Sequence, residues 1–151
     1  MIITFCGHSQ FSQTEKIRQE IMNILEERVN GQCVDMYLGG YGEFDIFAYE
    51  CCKQYKEAHL GASLILITPY ITLQYQRSHL DSQKHLYDGL IYPDIEDKPL
   101  RFAISYRNKY MVDKSDLIIA YVSHKWGGAY KMYEYAKKEG KEIINLAEVN
   151  D

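Results

Sequence analysis

One unit recurs along this chain and constrains its fold more than any other feature: a short, nearly continuous apolar run, a glycine loop, then a longer segment with helical spacing. Ile2 to Cys6 stops at Gly7-His8-Ser9, and Cys33 to Leu38 stops at Gly39-Gly40-Tyr41-Gly42. Leu117 to Val122 is followed by Gly127-Gly128. Runs this short and this apolar are strands buried on both faces, which is the signature of a parallel sheet covered by helices on either side. Ser63 to Thr68, halted by Pro69, is a further strand, and Glu142 to Leu146 is the last.

The intervening segments read as helices. Ser12-Gln13-Thr14-Glu15 has the form of a capping box, and Ile17, Ile21, Ile24 and Leu25 follow on one face, which predicts a helix from about Gln13 to Val29. Phe44, Phe47, Ala48, Cys51 and Tyr55 repeat with the same period. Helical spacing returns from Leu100 to Lys114, and a helix opened by Gly127-Gly128 is closed by Gly140. The expected architecture is α/β, a Rossmann-like three-layer α/β/α arrangement with a mostly parallel sheet of about five strands. The stretch from Tyr70 to Pro99 keeps no period, and loops of this length commonly serve as lids or binding loops. With 151 residues, 46% of them hydrophobic, the chain is expected to form one domain over residues 1–151.

Charge and cysteine usage narrow the function classes. The net charge is -4 and no run of Lys or Arg stands out, so the broad attraction that drives nucleic-acid binding is not expected, whereas a small anion needs only a few local donors. Cys6, Cys33, Cys51 and Cys52 have no zinc or CxxC spacing and read as small core residues in a reducing compartment. His79, His85 and His124 have no metal spacing, so neither a metal nor a cofactor is implied. No apolar run approaches the ~18 residues of a membrane span, and the start lacks the basic flank of a signal peptide. The expected location is the cytoplasm, with no membrane partner.

In sheets of this kind ligands sit beyond the carboxyl ends of the strands. Three loops fall at that edge: Gly7 to Ser12, Gly39 to Gly42, and Trp126 to Ala129. Glycines ahead of a helix let the backbone approach a phosphate, and the free N–H groups of the first turn favour its charge. The dipole is worth only about 0.3–1 kcal/mol at an exposed end, so a cation is needed beside it, and Arg107 and Lys131 are the nearest in sequence. The candidate binding residues are therefore Gly7, His8, Ser9, Gly39, Gly40, Gly42, Asp45, Arg107, Trp126, Gly127, Gly128, Ala129 and Lys131. Trp126, Tyr41 and Tyr70 are candidates to stack on a base, and Asp45 to face a ribose hydroxyl.

The sequence Gly39-Gly40-Tyr41-Gly42, then Arg107-Asn108-Lys109-Tyr110-Met111 with Asp116, then Gly127-Gly128 opening a helix, resembles the SLOG superfamily of Rossmann-like proteins. That superfamily includes Lonely-Guy phosphoribohydrolases, DNA-processing protein A and the YpsA-like branch. Phe44-Asp45 and Trp126-Gly127-Gly128-Ala129 are most similar to the last. The Lonely-Guy pattern has Arg four residues before Met, matched by Arg107 and Met111, and ends on a carboxylate at the position of Glu134. The resemblance implies that Arg107 holds phosphate or ribose and that Glu134 assists N-glycosidic cleavage. Trp126, Tyr130 and Lys131 stand where that pattern has Pro, Gly and Thr.

Three functions follow as expectations. The first is a module that senses, carries or sequesters a nucleotide-like small molecule. The second is a nucleoside 5'-monophosphate phosphoribohydrolase using Arg107 and Glu134. The third, single-stranded DNA binding, is disfavoured by the acidic balance. The apolar character of Ala48, Cys51, Cys52 and Tyr55, together with the habit of SLOG relatives to pair, points to a homodimer.

Overall fold

In the computed structural model, residues 1–69 and 84–148 are described. The sheet is built from β1 (Ile2–Gly7), β2 (Val34–Leu38), β3 (Ala62–Ile67), β4 (Gly89–Ile91), β5 (Leu117–Tyr121) and β6 (Glu142–Asn145). All pairings are parallel and the order is β4-β3-β2-β1-β5-β6. The chain moves outward from β1 to β4, then returns to the other side of β1. The strand order therefore reverses between β1 and β5, where such sheets leave a crevice at their carboxyl edge.

The helices are α1 (Glu15–Val29), α2 (Glu43–Ala58), α3 (Ala103–Lys114) and α4 (Gly127–Lys138). Short 3-10 turns lie at Lys84–Leu86 and Leu100–Phe102, the latter running directly into α3. Side-chain alternation divides each strand between two cores. Ile3 and Phe5 of β1 and Leu117 and Ile119 of β5 meet α1 and α2, while Cys6, Ile118 and Ala120 meet Met111 and Val112 of α3 and Met132 and Ala136 of α4. The three layers expected from the sequence are formed. The strand beyond the expected five is β4, whose three residues are too few to register as a period.

Several local expectations are corrected. The cap of α1 is Thr14, whose Oγ1 accepts the Ile17 N–H at 3.2 Å, so the helix starts at Glu15 and Ser12 is left outside it. This start still buries Ile17, Ile21, Leu25 and Val29 at four-residue spacing. Cys33 is exposed just ahead of β2, whereas Cys6, Cys51 and Cys52 are buried thiols. The apolar residues on α2 that suggested a dimer, Ala48, Cys51, Cys52 and Tyr55, are all at most 1% exposed inside the protomer's own core. That face is already covered and offers no surface for a partner. No helix among the described residues is long and apolar enough to cross a membrane. Tyr70, His79 and the part of the expected lid from 70 to 83 lie outside the described residues.

Gly7 ends β1 against Phe44 at the start of α2. A Cβ built there falls 2.3 Å from the root of the Phe44 ring, so helix and strand pack closely only because the side chain is absent. Gly7→Ala should force this contact apart and cost about 1–3 kcal/mol. A urea unfolding curve would show a lower midpoint with an unchanged slope.

Candidate functional site

The crevice between β1 and β5 opens into a cleft of about 740 Å³. Its floor is the end of β1, Cys6-Gly7-His8, with Gly39 beyond β2 and Met111 and Arg107 of α3. Its walls are Phe11 and Tyr121 on one side and His124, Trp126 and the first turn of α4 on the other. Tyr41 and Trp126 stand at the rim, each 70% exposed, where a planar group can lie against them.

The two glycine loops differ in what they offer. The first is closed by its own packing: a Cβ on Gly39 would lie 2.8 Å from Asp45 Oδ2, and one on Gly42 would lie 2.9 Å from Ser9 Cα. Gly40 and Gly42 also take positive φ (68° and 93°), so they shape the turn. The helix that follows carries Glu43 and Asp45 in its first turn. Glu43 Oε2 accepts the Phe11 N–H at 2.8 Å, and Asp45 Oδ2 accepts the Tyr41 N–H at 3.3 Å. The positive end of α2 is thus surrounded by the protein's own carboxyl groups.

The second loop is open. Gly127 has φ 91°, and a Cβ on either Gly127 or Gly128 would meet none of the described residues within 4 Å. Among the described residues α4 has no side-chain cap at its N-terminus and no acidic residue in its first turn. The first-turn N–H groups and dipole of α4 therefore face the cleft with no acid of its own first turn to answer them. The Cys6 thiol donates to the Ala129 carbonyl at 3.2 Å and fixes this turn over the end of β1. Burial raises the Cys6 pKa far above the ordinary thiol range, so the group is a neutral donor.

Arg107 enters the cleft floor from α3 and is only 3% exposed. Its Nη1 donates to Gly39 O at 2.9 Å and to Ile67 O at 2.8 Å, and its Nε donates to Asn108 Oδ1 at 2.9 Å. The guanidinium ties together the carboxyl ends of β2 and β3. Burial pushes the partly buried Asp45 carboxyl up to about 6, an effect opposed by the nearby Arg107 charge and by the Tyr41 N–H.

A stack of three rings forms one wall. His8 and His124 lie 3.6 Å apart at 13°, and His124 and Trp126 lie 3.8 Å apart at 18°. His8 Nε2 accepts the Ser123 N–H at 2.9 Å, which requires that nitrogen to be unprotonated. Burial, and then the His124 imidazole, lower the His8 pKa, in keeping with a neutral ring. The Nδ1 of His124 is buried without a hydrogen-bond partner among the described residues.

Of the residues singled out in the sequence, Gly7, His8, Ser9, Gly39, Asp45, Arg107, Trp126, Gly127, Gly128 and Ala129 line this cleft. Gly40 and Gly42 do not line it and instead take the positive φ of the turn beside it. Glu134 and Lys131 do not line it. Met132 and Ala136 turn the inner face of α4 toward the sheet, so Glu134 falls on the exposed face, where its Oε1 pairs with Lys137 at 3.3 Å. Lys131 is likewise exposed. Sequence reasoning missed Phe11, Tyr121, Ser123 and His124. The signal for the last two was positional, since they directly follow the β5 strand end at the point of reversal.

No family model matches the sequence, and no curated protein matches it. Solved structures do. DNA processing protein A from Helicobacter pylori, studied for its single-stranded DNA binding mode, superposes with a TM-score of 0.62 at 17% identity, covering 99% of this chain and 68% of that one. The chain shares their Rossmann-like α/β fold. DNA processing protein A from Streptococcus pneumoniae gives 0.60 at 15% identity over 93% of this chain, which spans about half of that protein (48%). The molybdenum cofactor carrier protein of Chlamydomonas reinhardtii gives 0.55 at 16% identity over 99% of this chain and 89% of the carrier. Identities this low speak for the fold alone.

Two outcomes test the assignment of Arg107 and Asp45. Arg107→Ala leaves two strand-end carbonyls without their donor and should cost about 3–5 kcal/mol in urea unfolding. The Asp45 carboxyl, raised from 3.8 to about 6, favours folding in its protonated form. Its contribution is complete below the unfolded value and lost as pH rises through about 6, on the order of 3 kcal/mol. The stability of Asp45→Asn relative to the parent should therefore increase between pH 4 and 7. A flat difference would show that the carboxyl titrates as in water.

Proposed function

We propose that this protein binds a phosphate-bearing nucleotide or nucleotide derivative in the cleft at the β1/β5 reversal, as a carrier, sensor or sequestering module. The observation that carries this reading is the α4 N-terminus, uncapped by any described side chain and opening through Gly127 and Gly128 onto the cleft. A phosphate there accepts several backbone N–H groups. The base of such a ligand lies against Trp126 or Tyr41, and Asp45 receives a sugar hydroxyl. Arg107 contributes positive potential to the floor while its Nη1 remains committed to Gly39 and Ile67. A molybdenum cofactor carrier with the same architecture supports the carrier form of the reading.

Turnover is the second reading, and one observation favours it. A carboxyl whose pKa lies near 6 is suited to proton transfer near neutral pH, and Asp45 is such a group lining the cleft. Cleavage of an N-glycosidic bond would then depend on Asp45 in place of Glu134.

Both readings are tested with nucleoside monophosphates, cyclic nucleotides and ADP-ribose derivatives, following thermal shift and release of free base. The expected result is stabilisation by at least one phosphate-bearing ligand. Trp126→Ala should weaken binding about tenfold through lost stacking, Gly128→Ala should weaken it without loss of stability, and Glu134→Gln should leave it unchanged. Base release abolished by Asp45→Asn and retained by Glu134→Gln would establish the hydrolase. Absence of any thermal shift across the panel would refute the binding proposal.

A further inference from the structure

The chain's charge is unevenly distributed. Residues 98–141 hold ten Lys and Arg against four Asp and Glu, while the whole chain has 17 against 21. The lysines are spread through the sequence, so no run appears, but the pairing of α3 with α4 gathers several of them. Along the seam Lys109 Nζ lies 5.3 Å from the Tyr106 ring and 5.6 Å from the Tyr135 ring, one on each helix, and Lys98 Nζ lies 5.2 Å from Tyr106. Lys131 and Lys138, both exposed, are four residues before and three after Tyr135, so they share its side of α4. Two acids face the seam: Asp113 accepts the Tyr135 hydroxyl at 2.7 Å, which fastens the two helices, and exposed Glu139 lies four residues after Tyr135 and acts on the same ring's hydroxyl.

We infer that this α3–α4 seam docks an acidic segment of another protein. Charge complementarity identifies the occupant's sign, and the tyrosines indicate its class. Tyr106 and Tyr135 are partly buried and lie beneath the protein's own lysines, so their faces are not presented as platforms for bases, which single-strand binding requires. The remainder of the molecule is acidic and repels a long polyanion beyond the reach of the seam, whereas a short run of Asp and Glu meets only the local positive field.

The surface lies on the outer helical layer, and its test is independent of the nucleotide reading. A fluorescently labelled peptide of alternating Glu and Ala is titrated into the full chain, with anisotropy as readout, at low and at physiological salt. Saturable binding that weakens with salt is expected. The combined variant Lys109→Glu, Lys131→Glu and Lys138→Glu should lower the affinity at least tenfold. Lys16→Glu with Lys53→Glu, at exposed positions on α1 and α2, should leave it unchanged, and both variants should retain the parent's circular dichroism melt. If oligothymidylate or a DNA duplex binds the seam more tightly than the peptide, the occupant is nucleic acid and the inference fails. It fails equally if the peptide does not bind, or if both sets of reversals weaken it alike. Should the seam variant unfold, Lys109→Gln alone is used, and an unchanged affinity in it overturns the inference.

Discussion

The carboxyl edge of the sheet is held by one buried cation. Strand ends in a parallel sheet leave carbonyls without ladder partners, and burying them without donors is costly. Arg107 supplies both missing donors from a single nitrogen, to Gly39 at the end of β2 and to Ile67 at the end of β3. Its positive charge also offsets part of the cost of burying Asp45. The cleft therefore depends on Arg107 for its shape before any ligand arrives. Arg107 is here a structural clamp between two strand ends.

That clamp explains why two glycine loops of similar appearance differ in character. Around the first loop the space is filled: Asp45 and Arg107 press against Gly39, and Ser9 against Gly42. Glycine is needed there for close packing and for positive φ. Around Gly127 and Gly128 no described residue fills the space, although Gly127 also needs positive φ. The first loop builds the floor and the second leaves room above it.

Much of this was readable in the sequence because hydrophobic period and glycine position report directly on buried strands and helix starts. The run Ile2–Cys6 and the repeat through Phe44, Phe47, Ala48, Cys51 and Tyr55 correspond to β1 and the buried face of α2. What could not be read depends on three-dimensional neighbours. The apolar face of α2 has the same pattern whether it covers its own sheet or a partner's. The α1 cap lies at Thr14, two residues past the expected Ser12, where its Oγ1 accepts the Ile17 N–H. Glu134 matched a motif by spacing alone, while the inward turn of Met132 and Ala136 sets it on the outer face. His8 and His124 are far apart in the chain and become a stack only because β1 and β5 are adjacent.

The electrostatics of the cleft set an order on how a ligand can lie in it. At one end the α2 dipole is answered by Glu43 and Asp45, so an anion placed there meets like charge. At the other end the α4 dipole has no such answer in its own first turn, and the neutral imidazole of His8 adds none. A ligand with one anionic end and one hydroxyl-rich end therefore has a preferred direction, with its anion at Gly127–Ala129 and its donors toward Asp45. Reversing it would place phosphate against carboxylate and leave the α4 amides facing only water. The orientation follows from the asymmetry of the two helix starts, and that asymmetry is written in the residues that follow each glycine loop: Glu43-Phe44-Asp45 after one, Ala129-Tyr130-Lys131 after the other.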